Sequence, residues 1–182
     1  ALLIRSTGKH FCTGADLAEV KGSLKDTEAL DHFIGSGMDV LMRLEASPLP
    51  IIVAVQGLCL AGGLELALAA DVCFASKSAK FGDQHAQFGL IPGWGGSQRL
   101  ARLVGLRRAL DLMFSARWLT AEDAVAMGLV NYLVADEELQ ERALDYAKTL
   151  AKRSRDGLAA MKRLARSGIE LPLADAMDLE RG

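Results

Sequence analysis

The stretch PIIVAVQGLCLAGGLELALAADV (residues 50–72) decides the fold. It opens on a short, continuous apolar run bounded by turn residues, as a strand covered on both faces does. A glycine-punctuated turn follows, then a short helix over about residues 62–70 and a second strand near residues 72–75. That helix is apolar nearly all round, so it belongs in the interior. One residue resists the description: Glu65 is the only charged side chain between Glu45 and Asp71. Burying a lone carboxylate is costly unless it is paired, protonated or hydrogen-bonded, so its presence needs a reason.

Working outward, ALLI (residues 1–4) reads as another buried strand. Between the two apolar runs, Leu30, Phe33, Ile34, Met38, Leu41 and Leu44 recur at three- and four-residue spacing. This predicts an amphipathic helix capped near Asp26 or Thr27 and ended before Pro48. Downstream, helices are expected over residues 95–104, 106–114 and 120–127, the last with Thr120 as N-cap and Gly128 as its stop. Leu139, Ala143, Tyr146, Ala147 and Leu150 mark a longer helix, with two shorter ones around Leu158 and Ala174. The expected class is α/β, with a layered core over residues 1–135 and a helical region over 136–182.

The composition narrows the function. The 182 residues are 51% apolar, and 21 basic against 23 acidic residues leave a net charge of -2. That balance argues against nucleic acid or an anionic membrane as partner. Gln56, Gly57, Gly62, Gly63 and Glu65 interrupt the longest apolar region, which argues against a spanning helix. Cys12, Cys59 and Cys73 read as small core residues of a reduced, cytoplasmic protein, or one of the mitochondrial matrix in a eukaryote. The chain begins without Met inside an apparent strand, so the expectation is that its natural N-terminus, and part of the C-terminus, lie outside it.

Three segments carry candidate chemistry. HFCTGADL (10–17) and GLCLAGGLEL (57–66) are glycine-rich turns, each following an expected strand. Such turns bring backbone N–H groups close to a ligand and can hold a developing oxyanion, or they are simply tight turns. Neither fits a P-loop or a dinucleotide fingerprint. Glu65 lies three residues after Gly62, near a helix start, and is either a general base or acid or a structural glutamate paired with an arginine. The third segment, FGDQHAQFGLIPGWGGSQRL (81–100), contains Asp83, His85 and a Pro-Gly turn. His85 is either a group that titrates near neutral pH and exchanges protons or a structural histidine. No clustering of His, Asp and Glu suggests a metal, and no cofactor is implied.

In this order, FCTGADL, PIIVAVQGLCLAGGLELALAADV, AKFG, GLIPGWGGSQRLARLVG and LTAEDAVAMGLV resemble the crotonase family of enoyl-CoA hydratases and isomerases. The resemblance implies a spiral of ββα units followed by helices that mediate trimer or dimer-of-trimer assembly, and an acyl-CoA thioester as substrate. It assigns the oxyanion-binding N–H groups to Ala15 and Gly62, and pantetheine and adenine contacts to Ala15, Asp16, Leu17 and Ala18. Where many hydratases carry a lysine this chain has Ala18, with Lys9 as a candidate replacement. Gly93 matches a glycine whose backbone helps position the site. The departure concerns acid and base: the family's first catalytic glutamate corresponds to Glu65, but the second falls on His85.

Hydration of a 2-enoyl-CoA is therefore the leading expectation. The alternatives are double-bond isomerisation by Glu65 alone, hydrolysis or decarboxylation of an acyl-CoA, and a non-catalytic acyl-CoA-binding homologue. Trp94 is unexpectedly bulky for a glycine-rich turn and either lines the pocket or packs structurally.

Overall fold

The computed structural model of the chain describes residues 1–23 and 25–181. In chain order its elements are β1 (Leu2–Arg5), α1 (Leu17–Ser23), α2 (Thr27–Ala46), β2 (Ile51–Val55), β3 (Leu58–Leu60) and α3 (Gly62–Ala69). Then come β4 (Val72–Ser76), β5 (Lys80–Gly82), a 3-10 turn (His85–Phe88), α4 (Gly96–Val104), α5 (Leu106–Ser115), β6 (Leu119–Thr120) and α6 (Ala121–Ala126). The chain continues with β7 (Tyr132–Val134), α7 (Leu139–Ala151), α8 (Arg155–Gly168) and α9 (Leu173–Arg181).

Successive turns of the chain build two sheets. β1, β2, β4 and β7 form a parallel sheet in that order. The shorter strands β3, β5 and β6 form a second sheet, joined by a bridge from Cys12 to Cys59. The turns that begin at β1, β2 and β4 each give a strand to one sheet and the next extended segment to the other, then cross by helix, which is the expected ββα spiral.

β2 is the hub. All five of its residues are buried, and their alternation divides two cores. Val53 and Val55 face Leu64, Leu68, Phe81, Leu100 and Leu112, whereas Ile52 and Ala54 join Phe74, Leu139 and Ala143 under α7. α3 is buried along almost its whole length, as its all-round apolar sequence requires.

Local signals set the helix ends. The Asp26 side chain accepts the N–H groups of Glu28 and Ala29 at the start of α2. Thr120 and Asp123 form a capping box at the start of α6, which ends next to Gly128 at φ +80°. Cys59 and Cys73 are buried and Cys12 is half-buried; all three are free. Among the described residues no helix is long and apolar enough to cross a membrane.

An ionic lattice fastens α8 to this core. Lys162 reaches Asp71 at 2.7 Å and Arg166 reaches both Asp71 at 2.8 Å and Glu45 at 3.2 Å. Arg99 on α4 closes a two-pronged pair on Glu45 at 2.8 and 2.6 Å.

Candidate functional site

Two backbone turns meet at the base of one cavity. After β1, Gly14 adopts φ +103°, and a Cβ there would stand 3.1 Å from the Ala61 Cβ and 3.2 Å from the Gly62 nitrogen. After β3, Ala61 also has positive φ, at 49°, an L-residue strain of about 1–3 kcal/mol. Gly63 lies still closer to the first turn: its Cβ would overlap the carbonyl of Cys12. Glycine at these positions is required by backbone-to-backbone contact between the two turns. Among the described residues, no acceptor takes the N–H of Ala15 or Gly62. Two unspent donors therefore sit on the wall of the same cavity.

That cavity has a volume of about 790 Å³. Its walls include Leu17, Leu30, Phe33, Ile34, Leu90 and Ile91, so it is largely apolar. Glu65, His85, Gly93 and Trp94 also line it. The site residues expected from the sequence thus divide: Ala15, Leu17, Gly62, Glu65, His85 and Gly93 come together here, whereas Lys9, Asp16 and Ala18 do not line the cavity. Asp16 accepts the Ala18 N–H at 2.7 Å, at the start of α1.

Glu65 is 2% exposed, and the structure supplies the reason for its burial. Its Oε1 accepts the backbone N–H groups of Trp94 and Gly96, both at 2.8 Å. An arginine partner, one of the two readings of this residue, is not what holds it: the nearby Arg99 is paired with Glu45 and donates to the Trp94 carbonyl. With Oε1 occupied, Oε2 is left facing His85 Nε2 at 3.8 Å. Burial pushes the Glu65 pKa up from 4.5, opposed by the Gly96 N–H, the charge of His85 and the Trp94 N–H.

His85 is held from its other side. Its Nδ1 lies 2.8 Å from Oδ1 of Asp83, a carboxylate only 2% exposed, and its backbone N–H donates to the same oxygen at 3.2 Å. Burial disfavours the imidazolium, but the hydrogen bond and charge of Asp83, followed by the charge of Glu65, outweigh it, so the His85 pKa is raised above 6.5. Glu65 and His85 thus form a carboxylate–imidazole pair whose facing atoms can share or pass a proton.

Trp94 does both things its sequence allows. Its indole lines the cavity, lies 5.5 Å from the Phe33 ring, and packs against Gly37 and Gly62. A Cβ at Gly37 would stand 2.2 Å from the indole Nε1, which accounts for a glycine inside α2. The sequence reading missed Gln84 and Trp118 in the wall, where the Trp118 indole N–H donates to Gln84 at 3.0 Å. Among the described residues no group of three or more His, Cys, Asp or Glu side chains is arranged to hold a metal. Burial pushes the Cys73 thiol up to about 12, so it is not a nucleophile at neutral pH.

The sequence profile of the enoyl-CoA hydratase/isomerase family matches residues 1–182. The chain belongs to this family. The family's fold is confirmed by an enoyl-CoA hydratase structure from Bacillus anthracis, with a TM-score of 0.93 and 33% identity over 98% of this chain and 69% of that one. A putative enoyl-CoA hydratase from Thermobifida fusca, solved in complex with CoA, superposes with a TM-score of 0.91 and 30% identity, covering 98% of this chain and 72% of that one. The short-chain-enoyl-CoA hydratase of Clostridium acetobutylicum is 35% identical over 99% of this chain and 69% of its own length. The chain thus spans about two thirds of the length of most of these relatives, 66% for a probable peroxisomal enoyl-CoA hydratase of Arabidopsis thaliana.

Proposed function

We propose that this protein adds water across the double bond of a 2-enoyl-CoA, using Glu65 as the base and His85 as the proton donor. The observation that carries the reading is the pair of free atoms, Glu65 Oε2 and His85 Nε2, facing each other at 3.8 Å in the cavity that also presents the Ala15 and Gly62 N–H groups. One water can bond to both atoms across that gap.

The thioester oxygen accepts the N–H groups of Ala15 and Gly62. Glu65 Oε2 takes a proton as the water oxygen bonds to the β carbon, and the electron pair of the double bond moves onto the thioester oxygen as an enolate. Fixed donors stabilise this charge without reorganising, and each is worth about 3–4 kcal/mol in related acyl chemistry. The Nε2–H of His85 then delivers a proton to the α carbon, and the thioester carbonyl is restored. Glu65 is left protonated and His85 neutral, so passing one proton between them through water resets the site. A carboxylate and an imidazolium thereby do what the family's two glutamates do.

Leu17 and Gly93 would contact the acyl-pantetheine in the cavity, while Lys9, Asp16 and Ala18 belong to the outer path of the nucleotide end. Coenzyme A enters as part of the substrate, and no separate cofactor is required. Assembly as a homotrimer or dimer of trimers is the companion reading, supported by exposed apolar residues after and along α8 and α9, such as Ile169, Leu173 and Met177.

The test is to supply crotonyl-CoA and a 3-enoyl-CoA separately to the full-length protein. Formation of 3-hydroxybutyryl-CoA from the first, faster than any double-bond shift in the second, is expected. Isomerisation without hydration refutes the assignment in favour of a single-base isomerase, and turnover of neither refutes both.

A further inference from the structure

Asp83 is a third acidic group at this site and the hydration scheme leaves it without a task. It follows β5 and precedes the 3-10 turn, buried at 2% exposure, with Oδ1 shared by the backbone and ring nitrogens of His85. Two carboxylates so near each other inside apolar walls repel, and the charge of Asp83 does act on Glu65. A protonated ring between them offsets that repulsion. A histidine with one nitrogen tied to a carboxylate is also fixed in tautomer and ring angle.

We propose that Asp83 is a positioning residue, which holds the Nδ1–H of His85 and so presents Nε2 to Glu65 and the substrate as the proton donor. This rests on the hydration reading above. Asp83 acts through the ring and reaches no reacting atom itself. It also explains how a histidine can stand at a position where the family's hydratases have glutamate: the substitution brings its own carboxylate two residues earlier in the chain, at the i, i+2 spacing of Asp83 and His85.

Among the described residues no other charge on a neighbouring element does this work. α3 contributes Glu65, already in the scheme. α5 packs against the 3-10 turn, but its Arg107 and Arg108 are exposed and its Asp111 is paired with Arg117 at the surface.

The alternative is that Asp83 merely caps the turn through the His85 N–H. Asp83→Asn separates the two, because asparagine keeps the size and the Oδ1 acceptor but loses the charge. If Asp83 positions and sustains the imidazolium, this change lowers kcat about 10- to 100-fold with KM little altered. It also moves the high-pH loss of kcat/KM to lower pH, since His85 then releases its proton more readily. A capping role leaves both unchanged, and that result overturns the proposal.

A second arm uses His85→Glu, which installs a carboxylate beside Asp83. In that background Asp83→Asn relieves repulsion and raises activity, whereas equal losses in both backgrounds mark a structural role and refute the positioning one. The inference is also readable without turnover. In ¹⁵N NMR of the full-length wild-type protein, with His10 and His32 distinguished by a His85→Gln variant, neutral His85 should carry its proton on Nδ1. A neutral ring protonated only on Nε2 overturns the proposal even if Asp83→Asn does not fold. Absence of hydration by the wild type, with the Nδ1 proton present, refutes the reaction and leaves the Asp83 assignment standing.

Discussion

Replacing Glu65 with glutamine should make the protein more stable and nearly inactive, a combination that follows from its two oxygens having different duties. Oε1 accepts two N–H groups at 2.8 Å each. A glutamine carbonyl can occupy the same place, but each bond to a charged acceptor, about 1.5–3 kcal/mol, falls to about 0.5–1.5 kcal/mol for a neutral one, a loss of about 2 kcal/mol for the pair. Against this stands the cost of keeping an ion buried, which amounts to several kcal/mol and which the amide avoids. The balance favours the variant because burial raises the Glu65 pKa above 4.5 despite both N–H donors.

The pH dependence has a definite sign. A carboxyl whose pKa is raised on folding stabilises the fold fully below its unfolded value and loses that contribution as pH rises through the folded one. Once Glu65 ionises the wild type has lost it, whereas the amide has nothing to lose. Glu65→Gln should gain about 1–2 kcal/mol at pH 7, the remainder of the terms above, and this advantage should vanish as the pH is brought below 4.5. For a chain of this size that corresponds to a Tm rise of about 2–8 °C. Activity moves the other way: with an amide at the position of Oε2, kcat for crotonyl-CoA should drop about 10²- to 10⁴-fold. KM should change little, because the proposed thioester donors are backbone groups that the substitution does not touch. Thermal melts followed by circular dichroism across pH, with loss of enoyl-thioester absorbance as the rate assay, read both effects. A variant less stable at pH 7 that keeps activity within tenfold of wild type would refute the reasoning.

Three further outcomes follow from packing. Gly62→Ala places a Cβ 2.5 Å from the indole Cζ3 of Trp94, and should cost about 1–3 kcal/mol in denaturant titrations and change tryptophan fluorescence; in a Trp94→Ala background the clash is gone, so Gly62→Ala should cost little more there. Trp94→Ala alone should cost about 2–3 kcal/mol, since the ring is only partly buried, and should raise kcat/KM for longer enoyl chains relative to crotonyl-CoA; an unchanged chain-length profile would count against the indole as a wall of the acyl site. Lys162→Met removes a 2.7 Å pair with Asp71 and strips the donor from the carbonyls of Leu44 and Leu49, so unfolding free energy should fall by about 2–3 kcal/mol while kcat per folded molecule stays constant.

The parts legible in the sequence are those whose cause is local. α2 declares itself through a three- and four-residue apolar spacing and the Asp26 cap, and β2 through an unbroken apolar run that proves buried on both faces. β3, β5 and β6 are two or three residues long, too short for any period, and exist because a neighbour in the second sheet completes their hydrogen bonds. Their spiral arrangement came from the family resemblance, not from a periodic signal. In the site, Glu65 is conspicuous as a charge in an apolar run. Its partners are not, because they are the main-chain N–H groups of residues 94 and 96, and a backbone donor leaves no trace in residue identity. Asp83 is visible beside His85 in sequence, yet only the buried 2.8 Å contact gives it a role.

The close seating of residues 14 and 63 against the opposite turn has a bearing on how such a site diversifies. The spacing of the Ala15 and Gly62 N–H groups is set by one stretch of main chain resting on another, with hardly a side chain between them. Substitutions elsewhere in the wall can therefore change what is protonated, and how large a group enters, without moving those two N–H groups. In this architecture main-chain contact sets the two donors, while His85 and Trp94 shape the wall around them.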